Sequence, residues 1–377
     1  MPVPLPTALV VDDSRLLRNN QGGIRASDLR GGRLLHSTIE SVETDGLYLQ
    51  GTTDTTDHFR ILSDTIRGHE NYWLSSYDID SLFVDSTTVL ETQDGFATGF
   101  RAAKITNSVF DNIRSGEAFD LEGYLGGGVL VTNVTMRGDP SCRRCATGFV
   151  FYGVPSSVFG LTAANLYHAV EQMYAPGTVS HSNITDATAG VYGYDNSGAA
   201  SRSYVLATTM SNVTRGIDNT QGSVVADSLD LTSGVYGVYT VGTLFSPSGV
   251  DTVRNSTIRN FDTGVQISDS TAVIIGNTFL NSTTYHLRTD GNGTATDSAI
   301  VLSNTFSCAP PNVGIVSYYG YGMSYRVTGN TFSGCGEGVN LSSTTFGSAS
   351  VRNNVFTMPP NTTAPAIMIP SPIRAEV

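Results

Sequence analysis

Residues 301–306 read VLSNTF, and the same frame returns as IIGNTF at 274–279, VTGNTF at 327–332 and VRNNVF at 351–356. An apolar residue, two variable positions, Asn or Ser, Thr and a large apolar residue follow in fixed order. Towards the N-terminus, VRNSTI (253–258), VTNVTM (131–136), ITNSVF (105–110), VDSTTV (84–89), ILSDTI (61–66) and LLHSTI (34–39) keep that frame. Weaker copies end at Ala163, Ile184, Met210 and Leu231. The closing residues form a series: Ile39, Ile66, Val89, Phe110, Met136, Ala163, Ile184, Met210, Leu231, Ile258, Phe279, Phe306, Phe332 and Phe356, spaced 21 to 27 residues apart. A second motif follows each copy, usually with glycine six residues on and then an apolar residue, as in Gly264-Val265 and Gly338-Val339.

Short alternating strands at a period of about 24 residues, with no helical periodicity, mean a solenoid of β-strands. A propeller blade needs about 40 residues, and a leucine-rich repeat needs fixed Leu and Asn positions that are absent here. The expected fold is all-β: a single right-handed parallel β-helix of about 14 coils over 34–370. Its inward Ile, Val and Phe stack as a core, and its Asn and Thr form ladders at the turns. Residues 1–33 do not fit the repeat and are read as a cap or attachment segment, with TALVVDDSRLLRN (7–19) as a short capping helix. Residues 371–377 are read as a C-terminal tail, because the prolines from 357 onward do not continue a ladder.

On these repeats the chain resembles the pectin-lyase-like superfamily of right-handed β-helices, closest in texture to NosD/CASH-type modules, over roughly 34–370. The resemblance implies a fold rather than an activity, since that fold hosts lyases, hydrolases, adhesins and viral spikes. Spikes of this kind are often trimers, so the resemblance also implies self-association. The catalytic elements of the enzymatic branches are missing. Asn-Thr occurs as NTF, the one Asp-Asp pair is Asp12-Asp13, Gly-His occurs as Gly68-His69, and no Asp-His pair follows the sole tryptophan, Trp73. Copper chemistry of the NosD kind would need clustered His and Met, which the sequence lacks.

Composition narrows the setting. Charged residues make up 14% of the 377 residues, and the net charge is −12. That balance argues against nucleic-acid binding, and no apolar run reaches the ~18 residues of a membrane span. The 33 acidic residues are 24 Asp and 9 Glu, while the 21 cations are 20 Arg and one lysine, Lys104. An acidic, lysine-poor chain fits a high-salt environment such as that of a halophilic archaeon or its virus; a G+C-rich genome gives the same bias. The start, MPVPLPTALVVDD, is no secretory signal. Sequons at Asn133, Asn183, Asn212, Asn255, Asn281, Asn292, Asn340 and Asn361 suggest a glycosylated exterior, although the first four fall in a repeat motif rich in Asn and Thr for structural reasons. An extracellular or virion-surface location follows.

Cys308 and Cys335 lie just after Phe306 and Phe332, at equivalent places on neighbouring coils, so a disulfide is expected. Cys142 and Cys145 (SCRRC) are expected to clasp an expanded turn. Two local bridges fit an oxidising exterior.

Two columns of outward residues are candidate sites. The first reads Tyr48, Trp73, Ala97, Asp120, Val150, Glu171, Tyr192, Asp218, Tyr239, Gln266, His286, Val316, Asn340 and Met368. Within it Glu171, Tyr192, Asp218 and Tyr239 alternate carboxylates and tyrosines, a pattern suited to sugar rings and hydroxyls. The expected function is a non-enzymatic spike, fibre or adhesin that binds a glycan or cell-surface receptor and docks to a larger assembly through its termini. The alternative is a polysaccharide lyase or glycoside hydrolase using Glu171 and Asp218, two coils apart. The second column is Asp45, Glu70, Asp94 and Glu117. Stacked carboxylates repel, so this is a candidate calcium site, with Arg67, Arg101 and Arg114 as alternative neutralisers. No other cofactor is expected.

Overall fold

The computed structural model describes the chain apart from residues 1–7, 18–21, 41–43, 53–57, 196–201, 243–248, 293–296, 322, 343–346, 370–373 and 377. Every described element is a strand, and the paired strands run parallel. The chain is a parallel β-solenoid of about 13 turns, close to the expectation. It divides into two compact units, Met1–Thr188 and Ala189–Val377.

In the first unit the motif residues stack in register: Leu16 on Ile39, Ile39 on Ile66, then Val89, Phe110, Met136, Ala163 and Ile184. From Ile39 onward each is at most 1% exposed. Trp73 is fully buried, 4.9 Å from the ring of Phe119 and 5.6 Å from Phe110, and its Nε1 donates to the Ala118 carbonyl at 2.9 Å. Gly95 is required beside it, because a Cβ there would meet the indole nitrogen. In the second unit Met210, Leu231, Ile258, Phe279, Phe306, Phe332 and Phe356 stack likewise. The last four phenylalanines lie face to face, with centroids 4.9, 4.7 and 4.7 Å apart. Burying one such ring contributes about 3 kcal/mol.

The motif's polar positions make the turn. Its second variable residue adopts a left-handed conformation on coil after coil: Ser63 (φ 58°), Asn107 (49°) and Asn133 (53°) in the first unit, Asn255 (53°), Ser303 (55°) and Asn353 (56°) in the second. Asn tolerates this region better than most residues, which accounts for the Asn-rich motif. The next residue is a ladder rung, buried at Asn277, Asn304 and Asn330 and half-buried at Asn354. Asn277, Asn304, Asn330 and Asn354 each accept the preceding rung's backbone amide on Oδ1, and each donates Nδ2 to a carbonyl of the coil before.

Two expectations about the ends need correction. Residues 9–17 form no helix: Leu9–Asp12 and Arg15–Leu17 are strands paired with Gly32–Leu35 and Thr38–Glu40. Near the C-terminus, Ile367–Met368 and Arg374–Glu376 still pair with strands of earlier coils. Both expected disulfides are present. Cys308–Cys335 joins neighbouring coils with Cα atoms 4.6 Å apart, and Cys142–Cys145 closes its turn at 5.7 Å.

Candidate functional site

In the second unit the outward column is continuous. Tyr192, Asp218, Tyr239, Gln266, Arg288, Val316, Asn340 and Met368 occupy successive coils in register. Three of the four residues expected to contact glycan are therefore neighbours. His286 does not belong to this column. It is fully buried between Phe279 and Phe306, and its Nε2 lies 3.0 Å from the Ser307 carbonyl. Arg288 takes the outward place.

Two arginines that the column reading missed organise this face. Arg215 Nη1 donates to Asp218 Oδ2 at 2.6 Å, and its guanidinium carbon lies 4.4 Å from the Tyr239 ring centre and 5.6 Å from that of Tyr236. Arg288 lies 4.8 Å over Tyr318 and donates to Asp290 at 3.1 Å. Asp290 also accepts from Gln266 at 3.0 Å. The hydroxyls of Tyr318 and Tyr285 meet at 2.8 Å, and burial together with that bond pushes the Tyr285 phenol up to about 12. The result is a cluster of mutually tilted rings and guanidinium groups that hold one another in place. Such rigid amphipathic surface binds with little loss of side-chain entropy. Asp218 is 7% exposed, with one oxygen taken by Arg215. It orients that arginine.

In the first unit the outward column runs Arg25, Tyr48, Ser75, Phe96, Asp120, Val150 and Glu171. Trp73 and Ala97 face inward instead, and Ser75 and Phe96 take their places. Glu171 Oε2 lies 2.8 Å from His168 Nδ1, and Tyr167 stacks on that imidazole at 4.2 Å. Asp120 stands two coils before Glu171 in register. Burial, reinforced by Glu122, Glu117 and Glu171, raises its carboxyl to about 7. Aromatic side chains flank these acids: Tyr72 and Tyr77 around Phe96, and Tyr152 against Tyr174 at 5.1 Å.

The four expected calcium ligands do not close into a cage. Asp94 Oδ1 accepts the Glu117 amide at 2.9 Å, and Asp45 takes the Tyr72 amide, but Glu70 is exposed and two residues out of line, with Tyr72 in register with Asp94. Burial raises the carboxyls of Asp45, Asp94 and Glu117. Among the described residues no group of three or more His, Cys, Asp and Glu side chains is arranged to hold a metal ion.

Asn133, Asn183, Asn212, Asn255, Asn281 and Asn361 are exposed and Asn340 is half-buried, while the side chain of Asn292 lies outside the described residues. At Asn133, Asn212, Asn255 and Asn281 the backbone is left-handed, so the turn alone accounts for asparagine there. Among the described residues no helix is long and apolar enough to cross a membrane.

No protein-family model and no curated protein sequence matches the chain. Among solved structures it is similar to the catalytic domain of a GH87 alpha-1,3-glucanase in complex with nigerose (12% identity, TM-score 0.40, covering 98% of this chain and 64% of that one). It is also similar to tailspike protein 3 of bacteriophage CBA120 (12% identity, TM-score 0.36, covering 92% of this chain and 57% of that one). The chain thus spans less than two thirds of either, and the likeness concerns fold alone. What fold and surface define together is a parallel β-solenoid with a tyrosine–arginine face and a carboxylate face.

Proposed function

We propose that the chain is a glycan-contacting surface protein, placed outside the cell or on a virion, whose contact face includes Tyr192, Arg215, Tyr236, Tyr239, Arg288 and Tyr318. The observation that carries this reading is the clamp of Arg215 between Asp218 and the rings of Tyr236 and Tyr239. It presents aromatic surface and fixed polar groups together, which suits the apolar faces and hydroxyls of a sugar. The acidic, lysine-poor composition and the two disulfides support the exterior setting, and self-association or docking to a larger assembly belongs to the same reading. A glycan microarray probed with wild-type protein and with Tyr236→Ala/Tyr239→Ala tests it. Binding to a defined glycan group that the double variant loses supports the proposal; unchanged binding by the variant overturns it.

One observation favours a hydrolase as second reading. Burial raises the Asp120 carboxyl to about 7, so it carries a proton part of the time at neutral pH, and Glu171 stands two coils away at about 9.6 Å by strand spacing. Inverting glycosidases separate their acid and base by ~6.5–9.5 Å. If the protein cleaves a glycan, this pair replaces Glu171–Asp218 as acid and base. Asp120→Asn then abolishes cleavage while binding at Tyr239 persists, and absence of cleavage across a broad glycan panel removes this reading.

A further inference from the structure

A different strip of the first unit carries a second site. Val10, Arg33, Arg60, Phe83, Lys104, Leu130 and Ser157 occupy one outward column on successive coils. Arg33, Arg60, Lys104 and Leu130 are exposed. The Arg60 guanidinium lies over Phe83, 5.7 Å from the ring centre. Shallow clefts flank the column. One is bordered by Arg60, Phe83, Asp85, Lys104 and Asn133, and the other is floored by Phe83, Ala102, Leu130 and Pro155.

The charge pattern runs against the molecule's average. In a chain of net charge −12, the sole lysine and two arginines share one column. The arginine–carboxylate ion pairs of this unit use Arg67, Arg101, Arg137 and Arg143 instead; among the described residues Arg33, Arg60 and Lys104 form no ion pair at contact distance, and Lys104 acts on Asp85 only through its field. Asp85, at the cleft edge, is already engaged: its carboxylate accepts from Thr106 at 2.5 Å and Asn107 at 3.0 Å.

We infer that this column binds an anionic polysaccharide, with a sugar ring on Phe83 and Leu130 and its sulfate or carboxylate groups on Arg60 and Lys104. Arg33 extends the cationic strip by one coil. Apolar floor between cations at coil spacing matches a polymer whose charges alternate with sugar faces. A duplex nucleic acid, with one charge per ~1.7 Å, meets only three cations here against a strongly negative background. This site does not depend on the tyrosine–arginine face, and its test reads it separately.

The probes are dextran sulfate, carboxymethyl dextran and neutral dextran, which share a backbone and differ in charge. They are titrated into the full chain by calorimetry. Binding of one or both charged dextrans is expected, and which of them binds distinguishes sulfate from carboxylate. Arg60→Gln and Lys104→Gln should each weaken it about tenfold, the loss of one charge-assisted hydrogen bond. Phe83→Ala should weaken it as well, and Arg326→Gln in the second unit should not. Because Lys104 is the only lysine, its acetylation followed by mass spectrometry gives an independent footprint: the charged dextran slows it in wild type and less so in Arg60→Gln. Equal binding of neutral dextran, absence of binding, wild-type affinity in Arg60→Gln and Lys104→Gln, or an equal loss in Arg326→Gln would each overturn the assignment. The substituted side chains lie on the surface, and a thermal melt of each variant confirms folding.

Discussion

Asp64 occupies a rung of the polar ladder that asparagine fills in the last coils, and replacing it with asparagine should stabilise the protein in a pH-dependent way. Asp64 is 2% exposed, and its Oδ1 accepts the Ser37 amide at 2.6 Å, but its Oδ2 is buried without a partner. On the asparagine rungs that second position is Nδ2. It donates to the carbonyl three residues before the preceding rung, as Asn330 does to Val301, and to the carbonyl two residues before its own, as Asn330 does to Thr328. For rung 64 the equivalents are the carbonyls of Leu34 and Leu62, which a carboxylate oxygen repels. Burial raises this carboxyl from 3.8 to about 6. The folded state therefore holds the proton more tightly than the unfolded chain. The associated stability is present below pH 3.8 and is lost as the pH rises through about 6. The loss amounts to about 3 kcal/mol at pH 8, at about 1.4 kcal/mol per pH unit. Asp64→Asn avoids that cost and adds hydrogen bonds worth about 1 kcal/mol each. Repeat arrays need not unfold in one step, so the assay is amide hydrogen exchange at Ser37 and Thr88, whose amides bond to Asp64. The variant should protect both amides more than wild type at pH 8, with the gap closing between pH 6 and 4. A destabilised variant at pH 8, or a gap independent of pH, would contradict this role of Asp64.

Other consequences are as direct. Burial lowers the imidazoles of His69 and His286 from 6.5 to about 4. Each therefore contributes stability above pH 6.5 that is lost as the pH falls to 4, up to about 3 kcal/mol apiece. His286→Leu should flatten the acid limb of a urea-midpoint-versus-pH curve. Removing the Cys308–Cys335 bridge with Cys308→Ser/Cys335→Ser frees a loop of 27-residue separation; the expected loss is about 3–4 kcal/mol in denaturant unfolding. Phe306→Ala opens a cavity between Phe279 and Phe332 and should cost about 3–5 kcal/mol, read the same way.

The repeat was legible because one hydrophobic frame recurs with its partners unmoved: the motif residues stack in the predicted register from Ile39 to Ile184 in the first unit and from Met210 to Phe356 in the second. The missed first coil follows the same frame. Val11, Asp13, Ser14 and Leu16 fill the apolar, left-handed, rung and core positions, but Arg15 stands where Thr was demanded. The outward columns were less legible, because the step from core residue to second strand varies. A register irregularity between Asp94 and Gly95 turns Trp73 inward, and in a strand a shift of one residue exchanges the two faces. Elsewhere the varying step displaced the column by two residues, Glu70 for Tyr72 and His286 for Arg288. The Arg215–Asp218 clamp has a sequence trace, an i,i+3 pair of opposite charge. Its meaning depends on Tyr236 and Tyr239, which belong to the next coil.

Hydrogen exchange of the full chain with and without its strongest microarray ligand locates the contact proposed for the second unit's tyrosine–arginine face. Slowed exchange in 215–220, 236–241 and 313–318 is the predicted result. Protection confined to other segments, with those three unchanged while the glycan is bound, would contradict it.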